Sequence, residues 1–257
     1  MLSKAKTLEK YKLIGKDGKI GRVEDFYFDD RHWVIRYLVV ETGNWLTGRQ
    51  VLLSPYSLEA INKEEENITV SLSEKQIEDS PPLESAKPVS RQFEKDYFSY
   101  YGYPTYWQGE FLWGTSPFLI REFEKQEDEK REKEKSWDPH LRSTDNVTGH
   151  HIQAKDGVIG HVEDFIIDDE TWAIRYLIID TKNWWGGKKV LISPNWIDRI
   201  SWEELKVYVN LTKESIKNSP EYSDDLFVSR DYEDKLHEHY KRKGYWKDDF
   251  PDNLPII

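Results

Sequence analysis

Apolar and polar residues alternate from Ile20 to Phe28, with Ile20, Arg22, Glu24 and Phe26 on one side and Gly21, Val23, Asp25 and Tyr27 on the other. A period of two is the signature of a β-strand. Val34 to Glu41 is β-branched and aromatic with almost no polar interruption, which predicts a central strand buried on both faces. Shorter apolar segments follow at Val51-Leu52-Leu53 and at Ile68 to Ser71, the second after the charged turn Lys63 to Glu66. Asp17-Gly18 suits a tight hairpin turn with positive φ, and Asp29 to His32 forms a polar turn. The period then changes. Ser73 to Gln76 reads as a capping box, and the helix it opens stops before Pro81, because the residue preceding a proline leaves the helical region. A second helix is predicted from Ser90 to Tyr101.

The whole pattern occurs twice. An offset of 139 residues relates Gly21 to Gly160, Trp33 to Trp172, Pro55 to Pro194, Ser90 to Ser229 and Trp107 to Trp246 without a gap. The second copy repeats the Asp156-Gly157 turn, opens its first helix at Thr212, stops it before Pro220, and predicts its second helix from Ser229 to Lys241. One register over this length means an internal duplication, hence two units of one fold. The expected division is 1–107, a linker at 108–140, and 141–257. Each unit is mainly β, with short strands that suit a small barrel or sandwich. Barrel closure would remove the edges that apolar strands cannot safely expose.

The spaced residues GxIGxVEDFxxDDxxWxIRYLxxxTxNWxxGxxVLxSP, followed by LxxxxIxxSP, resemble the PRC-barrel family. They stand at Gly18 to Pro55 with Leu72 to Pro81, and again at Gly157 to Pro194 with Leu211 to Pro220. The resemblance covers most of the chain and implies two tandem PRC-type β-barrels with short helices after each. The family includes the cytoplasmic domain of the photosynthetic reaction-centre H subunit and the C-terminal domain of the ribosome-maturation factor RimM. This chain has neither the membrane span of the former nor the N-terminal domain of the latter, so neither function transfers. The family has no shared catalytic residues to carry over.

Composition narrows the partners. The net charge of −11 argues against direct contact with nucleic acid or anionic lipid, both of which need a basic face. The chain has no cysteine, so thiolate metal sites and cysteine nucleophiles are excluded, as fits a reducing cytoplasmic compartment. The start MLSKAKTLEK has no apolar core of a secretory signal, and no apolar run is long enough to span a bilayer.

Candidate chemistry is sparse. Asp29-Asp30 and Asp168-Asp169 are acid pairs that suit a divalent cation or shared-proton chemistry, against the alternative that they only shape turns. None of the seven histidines meets another under the 139-residue offset, so the copies share no catalytic histidine. His150-His151 and His237-Glu238-His239 are adventitious metal candidates. The expectation is therefore a non-enzymatic interaction protein with no cofactor. A ribosome-linked factor acting through a basic protein partner, and a metal or small-molecule binder using the acidic turns, are the alternatives. Partner-binding candidates are Trp45, Trp184 and Trp185 on Gly-flanked loops, where they either anchor a partner or fold back as plugs. Phe111, Trp113 and Phe118 in the linker join them. Arg36 and Arg175 each need a carboxylate, for which Glu24 or Asp25 and Glu163 or Asp164 are the expected partners. The aromatic run from Tyr97 to Phe118 predicts a homodimer or a clamp between the barrels.

Overall fold

The computed structural model describes residues 1–46, 49–81, 89, 91–106, 141–181 and 187–247. In the first copy the strands are β1 (Leu2–Lys4), β2 (Lys12–Ile14), β3 (Lys19–Asp29), β4 (Val34–Glu41), β5 (Gln50–Leu53), β6 (Leu58–Asn62) and β7 (Asn67–Val70). Helix α1 (Ala5–Leu8) follows β1, and α2 (Glu74–Glu78) and α3 (Arg91–Tyr101) follow β7. The second copy repeats the series as β8 (Leu141–Ser143), α4 (Thr144–Val147), β9 (His151–Ala154), β10 (Gly157–Asp168), β11 (Ile174–Asp180), β12 (Lys189–Ile192), β13 (Ile197–Ser201), β14 (Lys206–Val209), α5 (Lys213–Lys217) and α6 (Arg230–His239).

Within each copy six strands run in the order β5-β4-β3-β2-β7-β6, or β12-β11-β10-β9-β14-β13. All neighbours are antiparallel except β2 with β7 and β9 with β14. The sheets are mainly β as expected, but their ladders do not close into barrels. Pro55–Ser57 and Pro194–Trp196 form 3-10 turns that lead straight from β5 into β6 and from β12 into β13. The two end strands are thus joined through a turn whose leading proline has no N–H to give to a ladder.

The seventh strand of each sheet comes from the other copy. Strand β3 is long enough to outrun its neighbour: β2 covers Lys19 to Arg22, which leaves the edge at Tyr27 to Asp29 open. There β8 pairs antiparallel, with Tyr27 opposite Ser143 and Asp29 opposite Leu141. Reciprocally, β1 pairs with β10, Leu2 opposite Asp168 and Lys4 opposite Ile166. Each copy's leading strand therefore fills an edge that its mate would otherwise leave unpaired.

Backbone at the centre reinforces the exchange. Ile35 N donates to Trp172 O at 2.8 Å and Ile174 N to Trp33 O at 2.7 Å. Both tryptophans are buried and left-handed, φ 55° and 57°, a conformation that few non-glycine residues hold without support. Trp172 lies 6.4 Å from Phe26 of the other copy, and Phe28 lies 6.0 Å from Phe165. A continuous core runs from Leu8 and Phe26 through both tryptophans to Ile179 and Leu191.

Strand β4 is buried on both faces, as its sequence predicts. Ile35, Leu38 and Val40 face the shared core, while Tyr37, Val39 and Leu52 face outward under Tyr97, Phe98 and Tyr106. The trailing helix α3 thus covers the outer face of its own sheet. Tyr97, Phe98 and Tyr106 hide there, so these rings are not left over for an interface. The simple alternation along β3 is also corrected. Register shifts between Val23 and Asp25 and between Tyr27 and Phe28 mark bulges, and past the first of them Phe26 and Phe28, not Asp25 and Tyr27, are the fully buried residues. Gly21 and Gly160 sit where a Cβ would meet the carbonyl oxygen of Glu41 or Asp180 at 2.0 or 2.3 Å, which accounts for glycine at both positions. Among the described residues no helix is long and apolar enough to cross a membrane.

Candidate functional site

The acid pairs divide their labour. Asp29 accepts from Arg31 N at 2.9 Å, contacts His32 Nδ1 at 2.8 Å and takes Arg36 Nη2 at 3.2 Å. Burial opposes its ionisation, but the His32 hydrogen bond and the Arg36 charge win and hold it well below the usual carboxylate range. Asp168 accepts from Thr171 Oγ1 and Arg175 Nη2, both at 2.8 Å, and it too is lowered: burial raises it, and Arg175 outweighs burial. The second acid of each pair grips the exchanged strand. Arg142 Nε of β8 donates to Asp30 at 3.1 Å. Asp169 takes the Met1 amino group at 2.5 Å and Lys63 Nζ at 2.8 Å. These four carboxylates, weighed in the sequence as cation ligands or as turn formers, are all engaged by donors of the chain itself.

Arg36 and Arg175 do not pair with Glu24/Asp25 or Glu163/Asp164. Arg36 falls between the register pairs Tyr27–Tyr37 and Phe28–Ile35, and Arg175 between Ile166–Tyr176 and Ile167–Ile174. Each is the extra residue of a bulge, which turns its side chain toward the Asp of its own turn. Glu24 is left to Gln50 and Glu163 to Lys189. Trp45 is half-buried against the core and donates from Nε1 to Ile20 O at 2.6 Å, the geometry of a plug. Trp184, Trp185, Phe111, Trp113 and Phe118 lie outside the described residues.

Asp25 and Asp164 face the seam between the copies. Asp25 accepts from Ser143 Oγ at 2.6 Å, Thr144 Oγ1 at 2.7 Å and Asp145 N at 3.3 Å, and so holds the start of α4 from the opposite copy. Its mate Asp164 accepts from Lys6 N of α1 at 3.2 Å. The exchange also brings Glu9, Asp25 and Asp145 together, with one carboxylate oxygen from each within 4.8 Å of the others. Burial first, and then the charges of Asp145, Asp164 and Asp25, push Glu9 up to about 8. Burial raises Asp164 to about 6 against hydrogen bonds from Phe165 and Lys6. Carboxylates this close favour a shared proton, as the raised Glu9 shows, and are of the ligand type a hard cation needs. Sequence spacing gave no sign of it, because 9, 25 and 145 share no element.

A second constellation occurs in both copies at the 139-residue offset. Glu94 on α3 accepts from Tyr37 Oη at 2.9 Å and Tyr106 Oη at 2.5 Å. Glu233 on α6 accepts from Tyr176 Oη at 2.8 Å and Tyr245 Oη at 3.0 Å. Arg36 lies 4.1 Å over the Tyr106 ring, and Arg175 lies 4.0 Å over that of Tyr245. Arg36 Nε and Nη1 have no hydrogen-bond partner among the described residues, so the ring face partly compensates the buried guanidinium. These knots pin each trailing helix and each tail to the outer face of β4 or β11. Their signal was present in the repeat: a Glu and two Tyr conserved in register between the copies, each Glu inside a helix whose neighbours are aromatic.

A family model described as PRC-barrel domain matches residues 3–77 and again 152–216, together more than half of the chain. An uncharacterized protein of Deinococcus radiodurans is 30% identical over 109 residues. That match covers 38% of this chain and 38% of the relative, so the chain spans well under half of that relative's length. Both the spaced motif in each copy and the paired sheets agree with the family match, and the chain belongs to the PRC-barrel domain family.

Proposed function

We propose that this chain is a non-enzymatic interaction protein of the cytoplasm, a preassembled pair of PRC repeats that offers one interlocked surface to a protein partner. The observation that carries the reading is the reciprocal exchange of β1 and β8, which fuses two repeats into a single unit. The groups that suggested catalysis support it as well: Asp29, Asp30, Asp168 and Asp169 hold turns and the exchanged strands. The charge of −11 directs the reading toward a basic partner, of which a ribosomal protein is one form. Self-association through the linker, with Phe111, Trp113 and Phe118 as its anchors, is a further part of the proposal.

The test uses the full chain. A basic protein captured with it is purified and titrated against the wild type and against Asp25→Ala, which loosens the seam. Saturable binding at a fixed ratio, weakened by the variant, is the expected result. Consumption of a compound from a metabolite mixture, abolished by Glu233→Gln, would instead make the protein an enzyme. Light scattering over a concentration series, with and without residues 108–135, decides self-association.

A further inference from the structure

The two buried knots share their Glu, two Tyr and Arg in register but differ at the residue beside the inner tyrosine. Phe98 of α3 is matched by His237 of α6 at the 139-residue offset. In the first copy Tyr37 and Tyr106 both donate to Glu94 Oε1, and Phe98 adds no ring nitrogen to that contact. In the second copy the histidine extends the chain. His237 Nε2 lies 3.0 Å from Tyr176 Oη, and His237 Nδ1 lies 2.9 Å from Lys243 O. Tyr176, Glu233 and His237 are all at least 97% buried.

Counting protons along this chain leaves it one short when histidine is neutral and glutamate ionised. A carbonyl oxygen only accepts, so Nδ1 carries a proton toward Lys243 O. The contact between Nε2 and Tyr176 Oη needs one proton, and the contact between Tyr176 Oη and Glu233 Oε1 needs another. A neutral tyrosine supplies a single proton. The second must sit on Nε2, making an imidazolium, or on Glu233, making a carboxylic acid. With neutral histidine and ionised glutamate, one of the two buried contacts becomes lone pair against lone pair, which is costly without water. The surrounding charges do not remove this requirement. From α6 itself, Arg230 Nη1 lies 3.0 Å from Glu233 Oε2. From β11, Arg175 stacks on Tyr245. From the tail, Tyr245 donates to Glu233, and Trp246 meets His237 edge-on with centroids 4.9 Å apart. Trp196 of the 3-10 turn packs on His237 and on Tyr240. Burial raises Glu233 against the Tyr176 hydrogen bond, the Arg230 charge, the Tyr245 hydrogen bond and the Arg175 charge, which favour the ionised form.

We propose that the second repeat alone carries a captive proton in the chain His237–Tyr176–Glu233, and that this proton latches the tail at 243–246 and α6 onto β11. Losing it at high pH breaks one contact and loosens the latch, while the first repeat, with Phe98, stays indifferent. The device is an asymmetric pH response built on an otherwise symmetric duplication. The group that carries the proton holds it to higher pH folded than unfolded. Its stabilisation is therefore complete below the unfolded pKa and is lost as pH rises through the folded one.

The experiment is heteronuclear NMR of the full-length protein labelled with 13C and 15N, with His237→Phe and Glu233→Gln used for assignment. At pH 7 the expected result is either a doubly protonated His237 ring or a Glu233 carboxyl carbon at the protonated shift. A singly protonated ring together with an ionised Glu233 overturns the proposal. Denaturant titrations from pH 6 to 10 give a second readout. The folding equilibrium of the wild type relative to His237→Phe should fall by up to tenfold per pH unit over the interval in which only the folded chain keeps the proton. A ratio independent of pH overturns it. If His237→Phe does not fold, Tyr176→Phe takes its place in the titrations, and the shifts of the wild type decide by themselves.

Discussion

Replacing Trp172 tests the seam most directly, because the residue combines burial with a left-handed backbone. Its side chain is buried beside Phe26 of the other copy. A tryptophan hides on the order of 200 Å², worth about 5 kcal/mol at ~25 cal/mol per Å², and the compactness of real unfolded chains makes that an upper estimate. Trp172→Ala is therefore expected to cost about 3–5 kcal/mol, the range for truncating a buried large aromatic. The backbone adds a sharper expectation. At φ 57° an alanine keeps a left-handed penalty of roughly 1–2 kcal/mol, which glycine escapes. Glycine's extra freedom in the unfolded chain returns about 0.4–1 kcal/mol of that. Trp172→Gly should thus be more stable than Trp172→Ala by about 0.5–1 kcal/mol, the reverse of the order within an ordinary strand. Urea titrations of the two variants and the wild type, at matched slopes, measure both quantities. A loss below about 1 kcal/mol would place the ring on the surface. Glycine worse than alanine would refute the role assigned to the backbone.

Three further outcomes follow from the same geometry. Asp25→Ala removes the acceptor that holds Ser143, Thr144 and the start of α4; thermal unfolding should show a loss of about 1–2 kcal/mol, the scale of a helix cap. Burial and then its acidic neighbours raise Glu9 to about 8, so its stabilising contribution is present at low pH and is lost between the unfolded value and about 8. Glu9→Gln should consequently gain on the wild type above pH 8, by about 1 kcal/mol once solvent screening of this half-exposed group is allowed for, while the two should differ little at pH 4. Gly21→Ala places a Cβ against the Glu41 carbonyl and should cost about 1–3 kcal/mol by overpacking, read as a lowered midpoint in the same titration.

What the sequence determined by itself is everything that local chemistry decides. The double pattern fixed two mainly β units, because period-two alternation and β-branched runs depend only on neighbours in the chain. The Ser73–Gln76 box is formed in both directions, and the helices at 91–101 and 230–239 start and stop close to where their sequences say. Tertiary structure alone decided the rest. The exchanged strands Leu2–Lys4 and Leu141–Ser143 are too short to carry a period, and their place depends on β3 and β10 outrunning their neighbours. Bulges, which leave no trace in an alternating pattern, turned Arg36 and Arg175 from the expected acids to Asp29 and Asp168. The carboxylates of Glu9, Asp25 and Asp145 meet only because two copies interlock. Likewise the sequence marked His237 only as an adventitious metal candidate, because its role in the knot is a count of protons, and that count exists only once Tyr176, Glu233 and the Lys243 carbonyl are packed around it.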